Sequence, residues 1–207
     1  MTALGAQGAR KHIEFHGRRA RSRTIPMTLA PRSRTLVCLT GFMGSGKSTA
    51  GRLLARQLAY LHVDLDKRIT DAAGLSIPEI FDRAGEPEFR RMEQEQLARV
   101  LAEAAEHPKP RILSLGAGTI VHGQNLALLR ESGALLIWLD CPMEELLQRC
   151  AQATDRPLFR DEASFRRLYE ERRPWYEQAD YRVDSNTEPV RVIEQILALG
   201  IFPRVPA

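Results

Sequence analysis

The sequence lacks any apolar run that approaches the roughly 18 residues needed by a membrane-spanning helix. It also lacks the hydrophobic segment that follows the basic cluster of a secretory signal. Its three cysteines, Cys38, Cys141 and Cys150, are odd in number and widely separated, which argues against a disulfide framework or a zinc site. We therefore expect a soluble, cytoplasmic chain in a reducing compartment, with no membrane as partner.

Acidic residues are scarce at the beginning of the chain. Residues 1–34 hold eight lysines or arginines and one acid, Glu14, so this segment carries +7 and the remainder −3 of the net +4. Without strand or helix periodicity, residues 1–34 are predicted to be a disordered basic extension, and residues 35–207 one domain. The extension has two other interpretations: synthesis that begins at Met27, or an arm for nucleic acid or a membrane surface. We expect no nucleic acid on the folded, net negative domain.

Apolar stretches alternate with helical ones through the rest of the chain, and they lie near residues 36–40, 60–64, 111–115, 134–139 and 180–184. This rhythm predicts an α/β protein, a three-layer P-loop fold with a five-stranded parallel sheet flanked by helices. Ser76 and Glu79 have the spacing of a capping box, which predicts a helix start. Ligands in such sheets bind at the carboxyl ends of the strands.

A glycine-rich segment follows the first of these strands. Residues Gly41–Ser48 match the spacing G-x-x-x-x-G-K-[ST] of a P-loop. Glycines let successive backbone N–H groups point at one centre, and the helix that begins near Gly46 adds the positive end of its dipole. We expect phosphates there, with Lys47 reaching the β- and γ-phosphates and Ser48 ligating Mg²⁺. The alternative is a glycine-rich turn that binds nothing.

Two carboxylates, Asp64 and Asp66, stand two residues apart where the second strand ends. Both can face one cleft, so that one serves a metal and the other a substrate hydroxyl. The alternative is that Asp66 is the N-cap of the helix that starts at Lys67. Their position soon after the P-loop favours the functional interpretation.

Two adjacent arginines, Arg90 and Arg91, lie in a helical stretch. A helix separates neighbouring side chains by about 100°, so only one of them can readily face the cleft. A guanidinium there could clamp a planar carboxylate with two hydrogen bonds. The alternative is a surface arginine paired with Glu86 or Glu93.

Small residues follow the third strand in the segment Leu113–Thr119. They stand where a bulky side chain would block a small substrate. The alternative is a tight turn that needs the backbone dihedrals of glycine.

Arginines are concentrated again in the last third of the chain, at Arg149, Arg156 and Arg172 among others. Exposed arginines usually belong to solvated helix faces. Here they span a segment that begins with a predicted flexible loop. We therefore interpret the segment as a mobile lid that closes on phosphates.

Taken together, these motifs resemble those of the shikimate kinases, in the nucleoside-monophosphate-kinase-like branch of P-loop proteins. The resemblance covers about residues 35–200. Its motifs occur in order: GFMGSGKST at 41–49, DLD at 64–66, IPEIF at 77–81, GEPEFRRME at 85–93, the small-residue turn at 116–118, DRPLF at 155–159 and R-x-P-x-Y at 172–176. The P-loop indicates only a superfamily, whereas the GE-x-x-FR, RPL and R-x-P-x-Y segments are far more specific.

The resemblance implies a kinase of the shikimate pathway, which serves aromatic amino acid biosynthesis. It would transfer the γ-phosphoryl group of ATP to the 3-hydroxyl of shikimate, with Mg²⁺ as cofactor, and we expect a monomer. The implied catalytic residues are Lys47, Asp66 and Arg156, and the implied metal site is Ser48 with Asp64, which acts through water. Asp66 would accept hydrogen bonds from substrate hydroxyls and is the nearest residue to a general base, while Arg156 would close with the lid onto the transferred group.

Two sets of binding residues are implied in the same way. ATP would bind Gly44, Ser45, Gly46, Lys47, Ser48, Thr49, Arg149, Arg156 and Pro189. Shikimate would bind Asp66, Arg90, Gly116, Ala117, Gly118 and Arg172. In these sets Arg149 and the turn around Pro189 would sandwich the adenine. Arg90 and Arg172 would grip the carboxylate of shikimate, and the small-residue turn would form a floor under its ring.

One departure from the family pattern bears on the acceptor. The family has three consecutive glycines where this chain has Ala117 between Gly116 and Gly118. The added methyl could narrow the pocket, or strain the backbone by about 1 kcal/mol if the residue has positive φ. Two other functions therefore stay open: a kinase of another small polyol acid such as gluconate, or of a nucleotide, and a domain that senses an effector without turnover.

Overall fold

The centre of the fold is a parallel β-sheet of five strands. The structure is a computed structural model that describes residues 36–107, 109–151 and 161–202. Its strands are β1 (Leu36–Thr40), β2 (Leu61–Asp64), β3 (Arg111–Ser114), β4 (Leu135–Asp140) and β5 (Tyr181–Asp184). They pair in the order β2-β3-β1-β4-β5, and every pair is parallel. The predicted sheet is confirmed, and the first and last residue of every strand lie within one residue of the predicted limits.

Helices connect and cover these strands. In the described residues they are α1 (Lys47–Leu58), α2 (Leu65–Ala73), α3 (Ile77–Glu106), α4 (Asn125–Glu131), α5 (Met143–Ala151), α6 (Glu162–Tyr176) and α7 (Pro189–Ala198). None of them is both long and apolar enough to cross a membrane.

Each face of the sheet has its own hydrophobic core. In β1, Leu36 and Cys38 belong to one cluster, while Val37 and Leu39 belong to the other. Successive side chains of a strand point to opposite faces, so a strand covered on both sides favours apolar residues throughout. Residues 36–39 of β1 are accordingly apolar, and the strand is buried up to Thr40 at its carboxyl end. The two clusters confirm the predicted three layers.

Polar side chains cap α2 and α3, which follow β2 in the chain. The Ser76 hydroxyl accepts a hydrogen bond from the backbone N–H of Glu79, and the Glu79 carboxylate accepts one from the backbone N–H of Ser76, so the predicted capping box is confirmed. Helix α2 is capped by Asp64, whose Oδ1 lies 3.2 Å from the amide nitrogen of Lys67. The alternative in which Asp66 is the cap is therefore wrong, because the helix begins earlier and Asp66 lies in its first turn.

Helix α3 bends within its first third. Gly85 has φ 77° and ψ 173°, which are not helical and which a residue with a Cβ adopts only under strain. Pro87 follows at the beginning of the second segment, where a missing backbone N–H costs little. The bend separates the capping segment from the one that carries Arg90 and Glu93.

Two predicted features lie outside the described residues. One is the basic extension, residues 1–34. The other is the part of the predicted lid at residues 152–160, which includes the predicted catalytic residue Arg156. The described helices before and after these residues are α5, which ends at Ala151, and α6, whose N-cap is Asp161.

Candidate active site

A cavity of about 520 Å³ lies at the carboxyl edge of the sheet. Its walls come from the segments that follow β1, β2 and β3, and from α3 and α6. Eight residues predicted for the site line it: Ser48, Asp64, Asp66, Arg90, Gly116, Ala117, Gly118 and Arg172. The fold thus brings the predicted metal and acceptor residues into one space.

The phosphate loop forms one side of this site. Gly44 and Gly46 have φ of 84° and 88°, in the left-handed region that favours glycine. Gly46 is the N-cap of α1 and makes no side-chain capping bond, so the first-turn N–H groups of this helix are left for an anion. The Lys47 ammonium donates to the carbonyl oxygens of Gly41 and Phe42, at 2.8 and 2.9 Å, which holds this charge against the loop.

The neighbouring loop residues differ in how they can meet a nucleotide. The Ser45 side chain is buried, and its hydroxyl has no hydrogen-bond partner within the described part of the chain. Ser48 and Thr49 are exposed in the first turn of α1, and Ser48 lines the cavity. A hydroxyl is thus presented to the cavity by Ser48, whereas Ser45 offers a ligand only its backbone.

The two residues predicted to hold adenine lie near the same loop. Arg149 Nη1 donates to the carbonyl oxygens of Gly44 and Ser185, at 3.4 and 3.3 Å, and its Nε donates to Glu145 at 2.8 Å. Pro189 is exposed as the first residue of α7. Arg149 therefore links the phosphate loop to the turn that leads from β5 to Pro189.

Asp66 is the carboxylate with the most perturbed titration in the cavity. Burial raises its pKa to about 6, and the neighbouring charges of Asp64 and Glu93 act in the same direction, against Lys47 and Arg90. A carboxylate with a pKa near the working pH can accept a proton from a substrate hydroxyl more effectively than an ordinary one.

Arg90 faces the cavity while Arg91 faces solvent. The Arg90 side chain is only 14% exposed; its Nη1 donates to Glu93 at 2.8 Å, and its Nε and Nη2 donate to Glu86 at 3.1 and 3.0 Å. Arg91 is 61% exposed and pairs with acids of its own helix. The sequence left open a surface arginine paired with Glu86 or Glu93. Arg90 does pair with both acids, but it is largely buried in the cavity wall and is not a surface residue.

Arg172 reaches the same cavity from α6 and is 3% exposed. Its Nη1 is buried and has no hydrogen-bond partner in the described residues. Burial lowers the pKa of the guanidinium, and the nearby charge of Arg90 lowers it further. A buried cation with an unsatisfied N–H is costly, and an anion that enters the cavity would satisfy it.

Close approach explains the small-residue floor. A Cβ at Gly116 would lie 2.8 Å from Asp66 Oδ1, and one at Gly118 would lie 2.7 Å from both terminal nitrogens of Arg90. Neither glycine is among the described residues with positive φ, so the alternative of a turn that needs glycine dihedrals is wrong. Ala117 also has no positive φ, which removes the expected backbone strain at this position.

Three residues complete the site without having been predicted. Glu93 is fully buried and accepts from the Thr119 hydroxyl at 2.6 Å, and the Tyr176 hydroxyl donates to the carbonyl oxygen of Ala117 at 2.6 Å. Glu93 and Tyr176 stand three and four residues after the two cavity arginines, a helical spacing that could have indicated them. No comparable signal marks Thr119.

The oxygen ligands available in the cavity suit Mg²⁺ better than a metal that needs several protein ligands. Ser48, Asp64 and Asp66 line the cavity, whereas no cluster of three or more His, Cys, Asp or Glu side chains able to hold a metal occurs among the residues that the structure describes. Mg²⁺ is usually held by one or two protein oxygens together with phosphate oxygens and waters.

A parallel sheet, an uncapped phosphate-loop helix and an acceptor cavity beside it define a P-loop kinase of the nucleoside-monophosphate-kinase-like class. A family model described as shikimate kinase matches residues 43–199. A shikimate kinase of Geobacter metallireducens is 40% identical over 164 residues, which cover 78% of this chain and 88% of that protein. The chain belongs to the shikimate kinase family.

Solved structures of this family have the same fold. Shikimate kinase from Acinetobacter baumannii in complex with shikimate matches with a TM-score of 0.74 and 32% identity, covering 81% of this chain and 94% of that chain. Shikimate kinase from Aquifex aeolicus matches with a TM-score of 0.68 and 34% identity, covering 79% of this chain and 94% of that chain.

Proposed function

We propose that the chain transfers the γ-phosphoryl group of ATP to the 3-hydroxyl of shikimate, giving ADP and shikimate 3-phosphate. The observation that carries this proposal is the buried Nη1 of Arg172, which has no hydrogen-bond partner among the described residues and lies in the cavity that also holds Asp66 and Ser48. An acceptor that combines a carboxylate with ring hydroxyls supplies a partner for each of these groups. Membership of the shikimate kinase family supports the same acceptor.

Arg90 and Arg172 are proposed to hold the carboxylate of shikimate. Both line the cavity and both are largely withdrawn from water, which strengthens a charge-assisted hydrogen bond. The turn at Gly116–Gly118 is proposed as the floor under the ring; the close approach of Gly116 to Asp66 and of Gly118 to Arg90 supports this, because a Cβ at either glycine would displace those side chains. Asp66 then accepts a hydrogen bond from a ring hydroxyl.

Phosphoryl transfer has a loose transition state, so positioning and charge neutralisation supply most of the catalysis. Lys47 is proposed to hold the β- and γ-phosphates beside the N-terminus of α1, and Asp66 to take the proton of the attacking hydroxyl. Mg²⁺ would be held by Ser48, with Asp64 acting through water, and would neutralise charge on the phosphate oxygens. Arg156, outside the described residues, is proposed to close onto the transferred group and exclude water.

For the base of the nucleotide, Arg149 and the turn around Pro189 are proposed as the two sides of the adenine site. The hydrogen bonds of Arg149 to the backbone of Gly44 and Ser185 support this, since they place the guanidinium between the phosphate loop and that turn. A planar guanidinium can stack on an aromatic base.

The experiment that tests this function is a coupled ADP-release assay with MgATP and shikimate, with the product identified by mass spectrometry. Gluconate and nucleoside monophosphates serve as rival acceptors. We expect turnover with shikimate to exceed that with the other acceptors by orders of magnitude. Faster ADP release with a rival would instead show a different acceptor, and tight effector binding without turnover would indicate a sensing domain.

We further propose that the protein acts in the cytoplasm as a monomer. Cys38, Cys141 and Cys150 are buried and none of them forms a disulfide in the described part of the chain, which suits a reducing compartment. Sedimentation of the purified chain tests the oligomeric state.

A further inference from the structure

A buried polar network lies beneath the first turn of α1. The Ser114 hydroxyl, at the end of β3, donates to the carbonyl oxygen of Lys47 at 3.0 Å. The same hydroxyl oxygen lies 3.1 Å from His62 Nε2, on β2. Ser114 is 1% exposed and His62 is half-buried, so the central hydroxyl of the network is withdrawn from water.

The direction of the second hydrogen bond follows from proton count. A carbonyl oxygen can only accept, so the single proton of the Ser114 hydroxyl is used by Lys47, and His62 Nε2 must donate to Ser114. Burial lowers the pKa of His62, with Asp64 opposing this shift and Arg52 adding to it. Since both the neutral Nε2–H tautomer and the imidazolium carry this proton, the network does not depend on a change in charge.

The chain leaves space for this network at one position of α1. A Cβ at Gly51 would lie 2.3 Å from Ser114 Oγ and 2.8 Å from His62 Nε2. Any larger residue there would push α1 away from the two strands. Glycine inside a helix is otherwise destabilising, and the close packing of α1 against Ser114 and His62 explains why a glycine occupies position 51.

The network connects the two halves of the site. In the sheet, Ser114 is paired with Leu39 of β1 and with Asp64 of β2. Its hydroxyl holds the backbone of Lys47, while the chain after Ser114 continues into the floor beneath the acceptor. A change at Ser114 or His62 therefore alters how the first turn of α1 is seated against the strands that carry the carboxylates.

We propose that His62 and Ser114 are positioning residues for phosphoryl transfer, which fix the first turn of α1, and with it Lys47 and Ser48, relative to β2 and β3. Neither of them is among the residues that line the cavity. The predicted effect on the rate of phosphoryl transfer rests on the proposed kinase function. The predicted effect on nucleotide binding does not depend on which acceptor the enzyme uses.

The test measures MgADP binding by calorimetry and steady-state kinetics on the full chain. Ser114→Ala removes the central hydroxyl, His62→Phe removes the donor, and His62→Gln keeps an N–H donor. We expect the Kd of MgADP to rise about five- to tenfold in Ser114→Ala and about threefold in His62→Phe, the range of one or two neutral hydrogen bonds. His62→Gln should stay close to the parent, and KM for shikimate should change by less than about twofold in all three.

The double variant separates a shared network from two independent effects. Because both substitutions break the same chain of hydrogen bonds, Ser114→Ala with His62→Phe should bind MgADP no more weakly than Ser114→Ala alone. Ser132→Ala is the matched control, since the Ser132 hydroxyl also donates to a backbone carbonyl, that of Leu129 at 2.7 Å, but at the end of α4. It should leave the Kd unchanged.

A purely structural role would be shown by lower melting temperatures with MgADP binding and kinetics unchanged, and that result would overturn the proposal. So would failure of His62→Gln to restore binding relative to His62→Phe. If the parent does not phosphorylate shikimate but the pattern of MgADP affinities holds, the positioning role stands and the assigned acceptor fails.

Discussion

Arg90 and Arg91 are neighbours in the sequence, yet they meet different surroundings. Arg90 is enclosed between Glu86 and Glu93 and lies against Gly118, whereas Arg91 pairs with acids on the solvent side of α3. Exposed ion pairs contribute little to stability, and a partly buried one is more consequential in either direction. The two arginines therefore form a natural pair of test and control.

Arg90→Ala should raise KM for shikimate by about 10- to 100-fold, the cost of losing charge-assisted hydrogen bonds to a carboxylate. KM for ATP should stay within about twofold, because Lys47 and the phosphate loop are unchanged. Steady-state kinetics with each substrate varied in turn provides the measurement. Arg91→Ala is the control and should behave as the parent; equal shikimate affinity in the Arg90 variant would remove this residue from the carboxylate site.

Asp66 should give the reaction a pH dependence. Its pKa is raised to about 6, so it is protonated below that pH and ionised above it. Only the ionised form accepts a proton from the acceptor hydroxyl, so kcat/KM for shikimate should rise with pH through an apparent pKa of about 6. A rate profile that stays flat down to pH 5 would exclude Asp66 as the proton acceptor.

The same shift has the opposite consequence for stability. The pKa of Asp66 is higher in the folded chain, about 6, than the ordinary 3.8, so the folded state binds the proton more tightly and loses stability as pH rises between these values. Asp66→Asn should therefore increase the free energy of unfolding above pH 6 by about 1–3 kcal/mol while removing activity.

Urea denaturation of this Asp66 variant at pH 4 and pH 7.5 measures the effect. The stabilisation should be present at the higher pH and nearly absent at the lower one. Asp71→Asn is the control, because Asp71 lies in the same helix but is 59% exposed and makes only a surface pair with Lys67. Equal stabilisation at both values of pH would mean that the gain does not come from the Asp66 charge.

At the scale of elements, α1 differs from the helices around the acceptor cavity in how it begins. Helices α2, α3 and α6 are capped by the side chains of Asp64, Ser76 and Asp161, whereas α1 begins at Gly46 without such a cap. A capping side chain would occupy the N–H groups that a phosphate needs. Among these four helices, the one whose first N–H groups are not taken by a capping side chain follows the P-loop sequence.

The other end of α1 stores a small strain. Ala59, its C-cap, has φ 55° and is the non-glycine residue with positive φ in the described part of the chain. Ala59→Gly should stabilise the fold by about 0.5–1 kcal/mol, because glycine adopts this conformation without a Cβ clash.

Chemical denaturation compares this variant with Ala98→Gly, an exposed position within α3. The Ala98 variant should be destabilised by about 1 kcal/mol, since glycine is unfavourable in a helix interior. Opposite signs for the two substitutions would support the assigned conformation of Ala59, and two losses of similar size would contradict it.

At the scale of the whole molecule, every residue that lines the described site comes after the basic extension in the sequence. The residues that line the cavity run from Met43 to Arg172, and the family model matches from residue 43. We propose that residues 35–207 form the kinase domain and that the basic residues 1–34 are not required for turnover.

A chain that begins at residue 35 should retain kcat/KM for ATP and shikimate within about twofold of the full chain, because the region matched by the family model and the residues that line the cavity both begin at residue 43. Activity and melting temperature of the two chains, measured side by side, provide the test. A loss of activity beyond tenfold would assign a role in catalysis to the extension.

Local patterns made much of this molecule predictable. Strand positions, the P-loop and the capping box depend on neighbouring residues, and neighbouring residues are what a sequence displays. The candidate residues of the acceptor site were also visible, since each stands at the end of a strand or in a specific short motif. Arg156 stays a prediction, because it lies outside the described residues.

Other properties depended on residues that only folding brings together. The sequence by itself determined where strands, helices and the phosphate loop lie, because these follow from periodicity and turn chemistry. The tertiary structure decided that Arg90 rather than Arg91 faces the cavity, that burial perturbs Asp66, and that Ser114 joins His62 to the backbone of Lys47. The reason is physical: burial and hydrogen-bond geometry across several elements are set by packing, which no single stretch of sequence contains.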